Sequence, residues 1–105
     1  PAIAMNPLNP DGDANNWLSC MTIAPESGVT PNMAMDALEV ENIESRPIWK
    51  PMHLQPVFAD ADFITLQENG SVGERIFEKG FCLPSDIKNT PKDMELIINT
   101  IRNLF

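Results

Sequence analysis

Basic residues are scarce in this 105-residue sequence. Seven lysines and arginines stand against fifteen aspartates and glutamates, a net charge of −8. That balance gives general nucleic-acid binding no electrostatic footing. Long apolar runs are missing as well. No stretch approaches the roughly 20 residues that span a bilayer, and no charged start leads into an apolar segment of the secretory kind. The expectation is a soluble, cytoplasmic chain with neither membrane nor nucleic acid as partner. Histidine is limited to His53 and cysteine to Cys20 and Cys82, which lie far apart among apolar neighbours. A disulfide or a reactive thiol is one reading of the cysteines. Two small buried hydrophobes in a reducing compartment is the other, and the one favoured by their surroundings. No metal-ligand spacing is present. There is no glycine-rich phosphate loop, and no Ser-His-Asp or Cys-His grouping for nucleophilic catalysis. Nothing around Lys50 in the sequence reads as the apolar pocket that Schiff-base chemistry needs. Asp60 and Asp62 read as a solvated turn.

What is present suffices for one small domain. A chain of this length buries about two-thirds of its unfolded surface, and 43% apolar residues exclude full disorder. Ten prolines punctuate short elements. Residues 1–16 carry three prolines and four asparagines without periodicity, which predicts an irregular arm or linker. The domain is then expected over 17–105. A start at Pro1-Ala-Ile3 without methionine points to processing or to an excised piece.

Within the domain, Trp17–Ile23 alternates as a strand and ends at the Pro25/Gly28 turn. Thr30-Pro31 opens a helix over about 31–41. Ile43–Trp49 is extended, and Pro47 confines it to a sheet edge. Ser71-Val-Gly-Glu74 is a capping box, with Val72, Ile76 and Phe77 as the predicted buried face and Gly80 as a left-handed closing residue. Phe81–Leu83 is a short strand stopped by Pro84. Thr90-Pro91 starts a last helix with Met94, Ile97, Ile98, Ile101 and Leu104 on one stripe. This order predicts an α/β two-layer sandwich, a small mixed sheet with helices on one face.

One window departs from the acidic background. Arg46, Lys50 and His53 surround Trp49, and Pro47, Pro51 and Pro56 stiffen the backbone between them. A rigid cationic loop with a flat aromatic face suits a compact anion such as a phosphate or diphosphate beside a ring system. The structural alternative is that Arg46 and Lys50 pair with the abundant carboxylates while Trp49 fills the core. Composition leaves both open.

The run Glu44-Ser-Arg-Pro-Ile-Trp-Lys-Pro-Met-His-Leu-Gln-Pro-Val-Phe58 resembles the C-terminal small domain of the DegT/DnrJ/StrS sugar aminotransferases. The resemblance extends to Trp17-Leu18 and to Phe77-Glu-Lys-Gly-Phe-Cys-Leu-Pro-Ser85, so it covers all but the amino-terminal arm. It implies the small domain of a fold-type I, pyridoxal-phosphate-dependent enzyme that aminates nucleotide-linked keto sugars for surface polysaccharide or lipopolysaccharide, most like the diamino and 4-amino-6-deoxy N-acetylhexosamine subgroup. In such enzymes the larger N-terminal domain carries the aldimine lysine, the aspartate opposite the pyridine nitrogen and most of the phosphate cup. The resemblance therefore implies a domain that is inactive alone, with no cofactor of its own and no catalytic residue. It implies a nucleotide sugar and an amino donor, glutamate, as partners, and a homodimer at full length. It places Trp49, Lys50, Met52 and His53 on the loop bordering the cofactor cleft, with Arg46 and Gln55 as substrate contacts or loop braces. The competing reading is a stand-alone, non-catalytic binding or interaction module of the same fold.

Overall fold

A computed structural model describes residues 1–15, 17–66 and 70–105. Residue 16, the end of the expected arm, lies outside them. The strands are β1 (Ile3–Met5), β2 (Ser19–Ile23), β3 (Arg46–Pro47) and β4 (Gly80–Leu83). The helices are α1 (Pro31–Val40), α2 (Val72–Lys79) and α3 (Pro91–Arg102). Short 3-10 turns occupy Pro25–Ser27, Met52–Leu54 and Pro56–Phe58. The strands form one sheet in the order β1-β2-β4-β3, and every pairing is antiparallel. The α/β class expected from the sequence is observed, with two differences: the sheet is antiparallel throughout, not mixed, and α2 lies against the face opposite α1 and α3.

Local chemistry explains where the helices begin. Thr30 accepts a hydrogen bond from the Met33 N–H at 3.2 Å, with Pro31 next in the first turn. Ser71 and Glu74 close a reciprocal capping box on α2, and Thr90 and Asp93 do the same on α3. Helix α1 ends in a left-handed residue, Asn42 (φ 58°). Its N–H donates to Glu39, and the Ile43 N–H reaches back to Leu38, each at 2.9 Å. This Schellman arrangement satisfies the last carbonyls and swings Ile43 onto the core.

The core lies between the sheet and two helices. Met21, Ile23 and Phe81 from the central strands meet Val29, Ala34 and Leu38 around α1 and Ile97 and Ile101 from α3. Met21 and Ile23 point one way along β2. Cys20 and Thr22 point the other, as a period of two requires. That second face is approached by α2, whose Ile76 shares a shallow hollow with Ala4, Cys20, Thr22 and Ile48.

Three further expectations change. The amino-terminal segment is not wholly irregular, because Ile3–Met5 pairs with Ile23–Met21 and the Asn6 N–H continues the ladder to the Cys20 carbonyl at 3.0 Å. Three residues are too few to show alternation in the sequence, and β1 takes its register from the open edge of β2. The expected buried face of α2 is largely open: Val72 and Ile76 are 49% and 41% exposed, and no α2 residue belongs to the core. Gly80 is not left-handed. It is extended (φ −118°, ψ 152°) and buried, and leads directly from α2 into β4. A Cβ there would stand 2.3 Å from Ile48 Cδ1 and 2.6 Å from the Ile76 carbonyl oxygen, so glycine is required by a close approach, not by a turn.

Candidate functional site

Pro47, Pro51 and Pro56 withdraw three backbone donors from one short stretch, which leaves little for the sheet to hold. Only Arg46–Pro47 pairs with β4, on the outer edge, and the Ile48 N–H adds a last bond to the Gly80 carbonyl at 3.4 Å. Beyond it the chain closes two successive 3-10 turns. Gln55 braces the first: its backbone N–H donates to the Met52 carbonyl, and its Nε2 lies 3.4 Å from both the Lys50 carbonyl and Met52 Sδ.

Trp49 leaves the sheet edge and meets Trp17, with ring centroids 5.9 Å apart and planes tilted by 40°. The indoles remain 61% and 68% exposed, far too open for a core role. Together they line a hollow of about 610 Å³ that continues over Cys82, Leu83 and Pro84 at the end of β4 and includes the polar groups of Arg46, Ser85 and Asp86. The Ser85 hydroxyl donates to the Trp17 carbonyl, tying the approach to β2 to the exit from β4. The Arg46 guanidinium is held by Glu44 through Nε (2.8 Å) and a terminal nitrogen. Both side chains are largely exposed, so this pair contributes at most about 1 kcal/mol, and a phosphate could replace the carboxylate at little cost.

His53 faces elsewhere. Its Nε2 donates to Glu74 Oε1 at 2.7 Å, and its ring stacks on Phe63 with centroids 3.6 Å apart. Glu74 is the capping-box carboxylate of α2, and its second oxygen accepts the Ser71 N–H at 2.9 Å. One carboxylate thus joins the start of α2 to the proline-rich loop. The Ser71 N–H, followed by the His53 hydrogen bond, holds the Glu74 carboxyl below its ordinary range, although partial burial pulls the other way.

Of the six residues singled out from the sequence, Arg46 and Trp49 reach the indole hollow. Lys50, Met52 and Gln55 follow on the same loop outside its lining, and His53 turns to α2. Lys50 and Met52 are exposed. Among the described residues no carboxylate pairs with Lys50. Sequence reasoning missed Trp17, Ser85 and Glu74 as neighbours of this loop. The capping box located Glu74, but a helix-starting motif occupies one carboxylate oxygen and says nothing of what the other will meet.

The DegT/DnrJ/EryC1/StrS aminotransferase family matches residues 2–102. EpsN of Bacillus subtilis (strain 168), described as a pyridoxal phosphate-dependent aminotransferase, is 39% identical over 94 residues, which are 90% of this chain and 24% of that protein. The crystal structure of the aminotransferase TlmJ from Streptoalloteichus hindustanus superposes with a TM-score of 0.75 over 98% of this chain and 26% of that one, at 19% identity, a likeness of fold. The chain spans about a quarter of the length of these relatives. Because the family match takes in every strand and helix of the sandwich, β1 included, the chain belongs to the DegT/DnrJ/EryC1/StrS aminotransferase family.

Proposed function

We propose that this chain is the C-terminal small domain of a pyridoxal-phosphate-dependent aminotransferase that acts on a nucleotide-linked keto sugar in surface-glycan biosynthesis, with glutamate as amino donor and a homodimer as the working form. The domain supplies the substrate-facing loop, and the remainder of the enzyme supplies the cofactor. A pyridoxal phosphate pocket needs a lysine amine desolvated enough to be nucleophilic. Lys50, Lys88 and Lys92 are exposed, and Lys79 is half-buried at the end of α2. The residues of this chain do not fit that pocket by themselves, so the isolated domain is inactive.

The observation that carries the reading is the pair of exposed indoles beside Arg46, with Lys50 next in sequence on a braced loop. Two aromatic faces that stay open to solvent offer apolar, polarisable surface to a ring. Arg46 and Lys50 provide the cationic groups that an acidic domain otherwise lacks nearby. Met52 and Gln55 set the course of the loop. His53 has one ring nitrogen committed to Glu74 and offers a ligand only the other.

The test is Lys50→Ala in the full-length enzyme carrying this domain. Loss of a charge-assisted hydrogen bond to substrate costs about 1.5–3 kcal/mol, a roughly ten- to hundredfold drop in kcat/KM. Because Lys50 is exposed and pairs with no carboxylate among the described residues, the melting temperature should stay constant. Unchanged kinetics would end the substrate-loop reading.

A further inference from the structure

Cys20 and Cys82 are 62 residues apart in sequence, yet they are direct partners in the register of β2 and β4. Both are free thiols, and their sulfurs are in hydrogen-bonding contact at 3.5 Å. The backbone groups of Cys20 are engaged on the far side of β2: its carbonyl accepts from the Asn6 N–H, and its N–H donates to Asn6 Oδ1 at 3.3 Å. Toward β4 the two cysteines therefore form a non-hydrogen-bonded pair, the closer of the two kinds, with Cα atoms about 4.5 Å apart in an antiparallel ladder. That separation lies within the range a disulfide spans. Closing the sulfurs to about 2.05 Å needs side-chain rotation and little backbone movement.

We infer that Cys20 and Cys82, opposed on the two central strands, are an oxidisable dithiol that closes to an intramolecular disulfide with a small-molecule disulfide such as oxidised glutathione. This inference is independent of the sugar-aminotransferase reading. The two thiols are not equivalent. Cys20 is half-buried and lines the shallow hollow under α2, where a small reagent has access. Cys82 is buried, and burial together with its neighbour Cys20 pushes its pKa up to about 11. Cys20 is accordingly the entry point. Its thiolate attacks one sulfur of the reagent, the reagent's sulfur–sulfur bond breaks, and one glutathione thiolate leaves with the electron pair. Cys82 then gives up its proton and attacks Cys20 Sγ, expelling the second glutathione thiolate. The protein thiols lose two electrons, and the two protons end on the two glutathione molecules released. The bond would clamp β2 to β4 beside the indole hollow, since Cys82 lines that hollow too.

The experiment incubates the chain, folded and in denaturant, with mixtures of oxidised and reduced glutathione, quenches with iodoacetamide and reads intact mass. The folded chain is expected to lose two hydrogens and both alkylation sites without retaining glutathione. It should close at least about tenfold faster than the denatured chain, because the strands hold the sulfurs together. Dithiothreitol should restore both thiols, and the oxidised form should melt about 10 °C higher. Cys82→Ser should trap glutathione on Cys20. A folded chain that keeps both thiols alkylatable, retains glutathione without closing, links two chains, or closes no faster than the denatured chain would overturn the inference. Should the serine variant not fold, the parent chain's rate ratio decides.

Discussion

Gly80→Ala separates two physical effects by the sign of its outcome. Gly80 has an ordinary extended backbone that alanine adopts freely. If conformational entropy alone mattered, alanine would stabilise the chain by about 0.4–1 kcal/mol by restricting the unfolded state. The added methyl, however, would sit 2.3 Å from Ile48 Cδ1 and 2.6 Å from the carbonyl oxygen of Ile76. The first neighbour is the end of a flexible side chain and yields. The second is backbone at the close of α2 and moves only if the junction between α2 and β4 moves. Overpacking of this kind costs about 1–3 kcal/mol, which outweighs the entropic gain. Urea unfolding followed by circular dichroism should show a lower midpoint at unchanged slope. Adding Ile48→Val removes Cδ1 and should recover part of the loss, so the double-mutant cycle should show coupling between neighbours. Unchanged or increased stability in Gly80→Ala would refute the close-approach account. Ile48 stands immediately before Trp49, so the same displacement should also alter tryptophan fluorescence.

Two further outcomes follow from the helix starts. Thr90→Ala removes the acceptor for the Asp93 N–H and a hydroxyl donor to its carboxylate, and should cost about 0.5–2 kcal/mol in the same unfolding assay. Glu74 has its folded-state pKa depressed by the Ser71 N–H and His53. Its contribution is therefore fully present above the ordinary carboxylate range and is lost as the pH falls through its lower folded value. Glu74→Gln should flatten that part of the acid limb of the stability–pH curve, and an unaltered limb would show that the bridge between α2 and the loop is not coupled to folding.

Much of the fold was legible because its signals are local. A threonine before proline, or a serine three residues before glutamate, satisfies orphaned helix donors through bonds spanning one turn. Thus α1, α2 and α3 begin where the sequence indicated. Pro47 likewise announced an edge strand, since a residue without an N–H has no place in a central ladder. Aromatic and basic residues between prolines set Arg46 through Gln55 apart from the acidic background, and the family resemblance lies in the same run.

The remainder depends on which distant residues the sheet brings together. Strand β1 exists because β2 offers an open edge, and its own three residues carry no signal of that. The stripe on α2 has the period of a buried face, but periodicity records amphipathicity and not what covers it; α1 and α3 fill the core, and α2 lies against the opposite face. Trp17 joins Trp49, His53 joins Glu74 and Cys20 joins Cys82 across 32, 21 and 62 residues respectively. Local sequence sets the conformation of each segment through bonds between near neighbours. Those three encounters were decided only by strand register and the packing of α2, because contacts between distant residues form when the whole sheet closes and the entropy of closing the intervening loops is overcome at once.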